Sequence, residues 1–433
     1  MDDAMTQQTI AAGSPLQGEI SVPGDKSISH RSIMLGSLAR GTTLVHGFLQ
    51  GEDNRATLNA FRAMGVTIDE LPDGRLKIEG RGLRGLQEPA DVLDCGNSGT
   101  TMRLMLGLLA GQSFFSVLSG DRYLRRRPMK RVVQPLAAMG GRIWGRQGGE
   151  LAPLAIQGGP LVAASYDSPI ASAQVKSALL LAGLYAEGET TVREPHLSRD
   201  HSERMLAYFG ADVRPFDGGV TIAGGPDLQG REVFVPGDIS SAAFFLVAAL
   251  ITPGSELLIR QVGINPTRSG VIDILRRMGG DIELVDEREL SGEPVADLLV
   301  RGSDLRGIEI GGSLVPRAID EFPVISVAAC FAEGTTVIKD ARELRVKETD
   351  RIAAMTEELT RLGGAVEAQD DGMVISGIPG LQGGEVGSHG DHRIAMSMAV
   401  AALRAKPPVV IEDTDCTETS FPGFWSLLQR LSR

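Results

Sequence analysis

Cysteine is scarce in this chain. There are three in 433 residues, Cys95, Cys330 and Cys416, and they lie far apart. No CxxC pair occurs, which argues against a disulfide framework or a structural zinc site. The expectation is three reduced thiols in a cytoplasmic protein. Aromatic residues make up only 4%, too few for the stacking platforms that hold single-stranded nucleic acid. Long apolar runs are missing too. The longest, such as SAAFFLVAALI at 241–251, fall well short of the ~20 residues that cross a bilayer. The opening MDDAMTQQTIAAGSP carries two acids and no apolar stretch, and reads as neither a secretory signal nor a transit peptide. Neither GxxxxGK[ST] nor GxSxG occurs, which removes a P-loop and a strained serine elbow.

What is present describes a globular protein. Hydrophobic residues are 42% and charged residues 23%, and the length suits two or three domains. Lys and Arg number 43 against 55 Asp and Glu, leaving −12 at pH 7. An acidic total disfavours a nucleic-acid partner, while local basic patches can still hold small anions.

Glycine is abundant, at 54 residues, and it marks a repeat. An apolar helix end, a Gly and an apolar strand start recur in FRAMGVTI, LAAMGGRI, LAYFGADV, LRRMGGDI and LTRLGGAV. Their first glycines, Gly65, Gly140, Gly210, Gly279 and Gly363, are spaced by 75, 70, 69 and 84. A second phrase, helix end, Gly, β-branched strand, has the same period at Gly41, Gly111, Gly188, Gly254 and Gly334. Gly just past a helix end is the expected C′ residue because it tolerates positive φ. FWSLLQRLSR would be a sixth helix, so six units fill the chain. Val22-Pro-Gly-Asp25 and Val235-Pro-Gly-Asp238 are 213 residues apart, as are Arg55 and Arg268. Two similar halves of three units follow, with crossings near 21 and 236. Helices such as 100–110 and 173–185 have few polar residues on any face, which predicts helices inside and strands towards solvent.

Cations stand where helices begin, against the rule that a helix N-terminus favours anions. Lys26 and Arg31 lie in GDKSISHR, Arg103 in GNSGTTMR, Lys347 and Arg351 in RVKETDR, and Arg393 in GDHR. Lys347 and Arg351 are spaced i,i+4, which on a helix gives one face. The copy at 237–245 has Ile239 and Ser240 where Lys26 and Ser27 stand. The repeat therefore does not itself require the charge, and the expectation is cations added for an anionic ligand. Residues 122–131 add six basic residues in ten; a solvated face and a nucleic-acid patch are the other readings.

Two acids stand among these cations, Asp320 in AIDEFP and Glu348 between Lys347 and Arg351. Carboxylates so placed stay ionised and can take a proton, or donate one once anionic substrates offset the cations. Asp320 also fits an N-cap ahead of Pro323, and Glu348 also fits a surface ion pair. His389 and His392, spaced i,i+3, give a weak metal signal without a recurring third ligand.

GDKSISHRSIMLGSLARGTT, GNSGTTMRLMLGLLAG, RRRPMKR, SAQVKSALLLAGL, IDEFPVISVAA, RVKETDRI and GDHRIAMSMAVAAL follow in this order. Together they resemble the 5-enolpyruvylshikimate-3-phosphate synthase family, from about residue 15 onward. The resemblance implies an α/β fold, an inside-out barrel of two similar domains with three βαβαββ units each. It implies an inserted domain over 22–236, on the shikimate 3-phosphate side. Residues 1–21 plus 237–433 would form the other, on the phosphoenolpyruvate side, with the active site in the cleft between. It implies transfer of the enolpyruvyl group of phosphoenolpyruvate to the 5-hydroxyl of shikimate 3-phosphate through a tetrahedral intermediate, with release of phosphate. No metal or organic cofactor and no nucleic-acid or membrane partner is implied, and a monomer is expected. Matching positions place Lys26, Ser27, Arg31, Ser172, Gln174, Arg199, Asp320 and Lys347 on shikimate 3-phosphate. They place Lys26, Gly99, Arg127, Gln174, Lys347, Arg351 and Arg393 on phosphoenolpyruvate. Asp320 would serve the attacking hydroxyl and Glu348 the methylene carbon, with Lys26 a rival proton donor.

The chain departs from many members. Glu343 replaces an Asn, Thr419 a C-terminal Lys, Ala173 a Ser and Leu104 a Pro. These changes occur together in a divergent bacterial group often called class II. Gly99 leaves room for glyphosate, a longer mimic of phosphoenolpyruvate. The sister transferases that act on UDP-N-acetylglucosamine carry a catalytic Cys in a mobile loop, and the corresponding GDRYLRRRP has none.

Overall fold

A computed structural model describes residues 6–432. Asp2 and Asp3, the acids of the opening segment, lie outside the described residues. The chain divides into two compact units. The first comprises residues through Pro23, Gly237–Arg288 and those from Pro294 onward; the second comprises Gly24–Pro236 and Glu289–Glu293. The sequence does not mark 289–293 as separate from its surroundings.

Each unit is built from three copies of one sheet pattern. In the second unit the strand orders are Glu232–Phe234, Arg40–His46, Leu76–Arg81, Thr67–Glu70; then Leu93–Asp94, Phe115–Ser119, Leu151–Gln157, Arg142–Gly145; then Ser165–Asp167, Glu189–Arg193, Gly219–Ala223, Val213–Phe216. In every case one parallel pair is followed by two antiparallel pairs. The parallel pair of Arg40–His46 with Glu232–Phe234 joins the two ends of the unit.

The first unit repeats the pattern. Gln17–Ser21 runs parallel to Glu256–Gly263, and Glu309–Ile310 to Thr335–Ile338. The third copy is shortened: Leu381–Gly387 runs parallel to Ala405–Glu412, and Gln7–Ile10 adds antiparallel to that strand. The sequence before Pro23 thus completes sheets whose other strands lie more than two hundred residues later. That is the physical reason for a discontinuous domain.

Helices fill the interior of each unit. All residues of Ile239–Ile251 and His392–Ala402 are buried, as are nearly all of Gly99–Ala110. Apolar surface on every side of a helix is stable only where every side is covered. The six-helix expectation extends to the end, where Phe424–Leu431 is helical. Its Phe424 packs edge-on to Phe244 and Phe421 at 6.0 and 5.4 Å between ring centroids, each such pair worth about 0.5–1.5 kcal/mol beyond burial. Among the described residues no helix is long and apolar enough to cross a membrane.

Gly65, Gly140, Gly210, Gly279 and Gly363 all have positive φ, as the repeat predicts. Gly111 does not: its φ is −91°, and an added Cβ would stand 2.3 Å from the Tyr185 ring. Glycine is needed there for close packing, not for a left-handed turn.

Candidate active site

In the second unit, helix Lys26–Leu38 is capped by Asp25, whose carboxylate accepts from Ile28 N at 2.8 Å. Lys26, the first helical residue, has its Nζ 2.5 Å from Asp53 Oδ2. The Asp53 carbonyl accepts from Thr101 Oγ1 at 3.4 Å, which ties this pair to helix Gly99–Ala110. Arg31 lies one turn in and is buried. Its Nε donates to Ser202 Oγ at 2.7 Å, Nη2 to Ser177 Oγ at 2.8 Å and Nη1 to the Ser27 carbonyl at 3.0 Å. Burial pushes its pKa down to about 10; Glu203 and Asp25 resist that and Arg199 adds to it. Arg199 is therefore close enough to Arg31 to be felt as a like charge.

Helix Ala173–Gly183 presents the next group. Ser172 caps it by accepting from Val175 N at 3.5 Å. Gln174 accepts from Arg103 Nη1 at 2.7 Å and donates to Thr100 Oγ1 at 3.2 Å. Arg127 donates to Asn97 Oδ1 at 2.9 Å. A Cβ on Gly99 would stand 2.8 Å from Arg103 Nη1 and 3.3 Å from Arg127 Nη1. Two guanidinium groups thus lie against the bare Cα of Gly99.

The first unit gathers its residues around Arg351, whose side chain is 2% exposed. Its Nε donates to Asp391 Oδ2 at 2.8 Å, Nη1 to Asp320 Oδ1 at 3.3 Å and Nη2 to Glu348 Oε2 at 2.6 Å. Lys347 Nζ is 3.7 Å from the same Asp320 oxygen. Arg393 donates to the Asp320 carbonyl at 3.2 Å. Burial disfavours the charge on Arg351, but the carboxylates of Asp391, Glu348 and Asp320 outweigh it and hold its pKa above the ordinary value.

Three sequence readings need correction. Asp320 is not the N-cap of the following helix: Glu321 occupies that position, without a side-chain cap bond, and Pro323 lies in the first turn. Lys347 does not share a helix face with Arg351, because the helix begins at Arg351 behind the Asp350 cap and Lys347 is extended. The two meet at Asp320 instead. Nor are the cations set apart for an anionic ligand alone. Lys26 is paired with Asp53, Lys347 with Asp320, and Arg351 with three acids.

Asp53 and Asp391 carry no signal of their own in the sequence. Asp391 also caps its helix, accepting from Arg393 N at 2.9 Å. The repeat copy without Lys26 proves to be an internal cluster. Arg268 donates to Ser240 Oγ at 2.6 Å and lies 3.2 Å from Glu321 and 3.3 Å from Asp238, all buried. His389 and His392 do not converge: His389 Nε2 meets Glu358 at 2.6 Å and His392 Nδ1 meets Thr419 Oγ1 at 3.2 Å. Glu357, Glu358 and His389 could be gathered about an ion, but Arg361 already bonds Glu357 at 2.6 Å and stands 3.8 Å from Glu358.

The arrangement can hold multiply anionic small molecules and move protons through carboxylates. Comparison with known proteins agrees with that chemistry. The sequence profile described as EPSP synthase (3-phosphoshikimate 1-carboxyvinyltransferase) matches residues 10–428. A 3-phosphoshikimate 1-carboxyvinyltransferase of Syntrophotalea carbinolica is 71% identical over 420 residues, 97% of each chain. One of Pelobacter propionicus is 67% identical over 98% of this chain and 99% of its own. A solved EPSP synthase of Acinetobacter baumannii superposes with a TM-score of 0.89 at 50% identity, covering 98% of both chains.

Proposed function

The chain belongs to the EPSP synthase family, and from that premise we propose how its residues divide the reaction. The reaction transfers the enolpyruvyl group of phosphoenolpyruvate to the 5-hydroxyl of shikimate 3-phosphate and releases phosphate. The hydroxyl oxygen bonds to C2 of phosphoenolpyruvate while a proton adds to C3. Loss of a C3 proton and of the C2 phosphate from that tetrahedral intermediate leaves the enol ether.

Shikimate 3-phosphate is held by Lys26, Ser27, Arg31, Ser172, Gln174 and Arg199, with Asp320 and Lys347 at its reacting end. Phosphoenolpyruvate is held by Lys26, Gly99, Arg127, Gln174, Lys347, Arg351 and Arg393. Residues 22–236 supply most of the first set, and the domain containing 237–433 supplies the acids and much of the second. Asp320 accepts the proton of the attacking hydroxyl and Glu348 protonates the methylene carbon. The observation that carries this reading is the convergence of Asp320 and Glu348 on the one buried guanidinium of Arg351. Once substrate anions occupy the cations, those cations stabilise carboxylate charge less, and protonation of Glu348 becomes easier. Fixed positive groups around the leaving phosphate stabilise the charge it acquires.

The reading requires no metal or organic cofactor and no nucleic-acid or membrane partner. We assign the chain to the cytoplasm and to a monomeric state. Glu343, Thr419, Ala173 and Leu104 support placement in the class II-like bacterial group. Thr419 donates to the Cys416 carbonyl at 2.7 Å and meets His392 Nδ1 at 3.2 Å, and its side chain is too short to reach as a lysine would.

The test is phosphate release from purified shikimate 3-phosphate and phosphoenolpyruvate. Release should need both substrates, fail with UDP-N-acetylglucosamine as acceptor, and fall at least about a hundredfold in Lys26→Ala and Asp320→Asn. Wild-type rates in both variants would overturn the residue assignment.

A further inference from the structure

Behind the proposed shikimate 3-phosphate residues lies a buried charge cluster that the reaction itself does not use. Lys176, on helix Ala173–Gly183, is 1% exposed. Its Nζ lies 2.9 Å from Glu194 Oε2 and 2.8 Å from Glu203 Oε1, and donates to the Ser198 carbonyl at 3.2 Å. Glu194 has a 3% exposed side chain and accepts from four directions. Besides Lys176, it takes Ser172 N on Oε1 at 3.2 Å, Ser198 Oγ on Oε1 at 2.6 Å and Ser198 N on Oε2 at 3.2 Å.

A charge hidden this deeply is costly unless fully paired. Packing alone would be served as well by apolar side chains of the same volume. What the carboxylate adds is geometry. It grips the backbone of Ser172 on one side and both the backbone and hydroxyl of Ser198 on the other. Ser172 is the cap of its helix, and Ser198 immediately precedes Arg199.

We infer that Glu194, held by Lys176, is a positioning residue that sets the spacing between Ser172 and Arg199 and so fixes the seat of the substrate phosphate ester. This rests on the reading that Ser172 and Arg199 bind shikimate 3-phosphate. Ser202, in the helix that follows Arg199, continues the arrangement. It accepts from Arg31 at 2.7 Å and donates to Ser177 Oγ at 2.7 Å. The segment carrying Arg199 is thereby pinned at both ends to the two helices that carry Arg31 and Gln174. A phosphate dianion rewards such spacing, because charge-assisted hydrogen bonds lose strength with small displacements.

The test separates reach from charge. Glu194→Asp keeps the charge opposite Lys176 but shortens the side chain by one methylene, so it cannot hold both serines. Calorimetric titration of shikimate 3-phosphate should show affinity at least about tenfold weaker, with KM for phosphoenolpyruvate within about twofold and an unchanged far-UV spectrum. Ser198→Ala removes a single bond and is the second variant should Glu194→Asp fold poorly; it should weaken the same affinity about threefold. Affinity within twofold of wild type in a folded Glu194→Asp or Ser198→Ala chain would overturn the inference. Arg199→Ala serves as the control. If it leaves shikimate 3-phosphate affinity unchanged, the binding assignment itself fails, whatever the Glu194 variant does.

Discussion

Asp391 Oδ2 lies 2.8 Å from Arg351 Nε, and both side chains are closed off from water. The same carboxylate caps helix His392–Ala402 by accepting from Arg393 N at 2.9 Å. One acid therefore sets two arginines that phosphoenolpyruvate is proposed to meet. Removing one member of a buried ion pair leaves the other uncompensated, which costs roughly 3–5 kcal/mol. Asp320 and Glu348 still face Arg351 in Asp391→Asn, so its loss should fall near the lower end of that range. Urea unfolding at pH 7.5 measures it; a change under about 1 kcal/mol would mean that Asp391 is not the anchor.

In the second unit, a side chain at Gly99 would crowd two arginines. The methyl of Gly99→Ala would press on Arg103 Nη1 at 2.8 Å and Arg127 Nη1 at 3.3 Å. Guanidinium ends can move, so the fold should survive while the phosphoenolpyruvate seat shifts. KM for phosphoenolpyruvate and the glyphosate inhibition constant should both rise, the latter roughly tenfold or more, equivalent to about 1.4 kcal/mol. KM for shikimate 3-phosphate should stay within about twofold. An unchanged inhibition constant would remove the steric argument.

His30 provides a pH signature of the fold. It is fully buried and its Nδ1 meets Thr57 Oγ1 at 2.7 Å. Burial first, then Lys26 and Arg31, drive its pKa well below the ordinary 6.5. Below pH 6.5 the unfolded chain therefore binds a proton that the folded chain refuses. Stability contributed by neutral His30 is complete above that pH and is lost as the pH falls, by up to about 1.4 kcal/mol per unit. Urea unfolding at pH 7.5 and 5.5 should show a shallower acid loss in His30→Gln than in wild type. Parallel profiles would show that His30 does not titrate in this way.

The six-unit plan was legible because a glycine just past a helix end recurs, and Gly65, Gly140, Gly210, Gly279 and Gly363 adopt the left-handed turn it allows. Gly111 fits the phrase for another reason, the Tyr185 ring against its Cα; spacing alone does not distinguish the two causes. The cations were legible because they break the helix-dipole rule. Two of their partners, Asp53 and Asp391, were not. Asp53 is 27 residues from Lys26 and Asp391 is 40 from Arg351, and nothing local relates either pair. Asp320 and Glu348 were legible beside the cations, but not that both would bond the buried Arg351. In the fold, acids already occupy much of that field, two of them the proposed proton carriers. Lys347 was misplaced for a simpler reason: an i,i+4 spacing has meaning only inside a helix, and this helix starts four residues later.

The central claim is that Glu348, held 2.6 Å from Arg351, delivers the proton to the methylene carbon. It is tested most directly by running the reaction in deuterium oxide and following deuterium at C3 of phosphoenolpyruvate and product by mass spectrometry. Wild type should incorporate deuterium at about the rate of turnover. Glu348→Gln should keep both KM values within about threefold yet incorporate at least about a hundredfold more slowly. Incorporation at the wild-type rate in Glu348→Gln would contradict the claim and move the acid to Lys26.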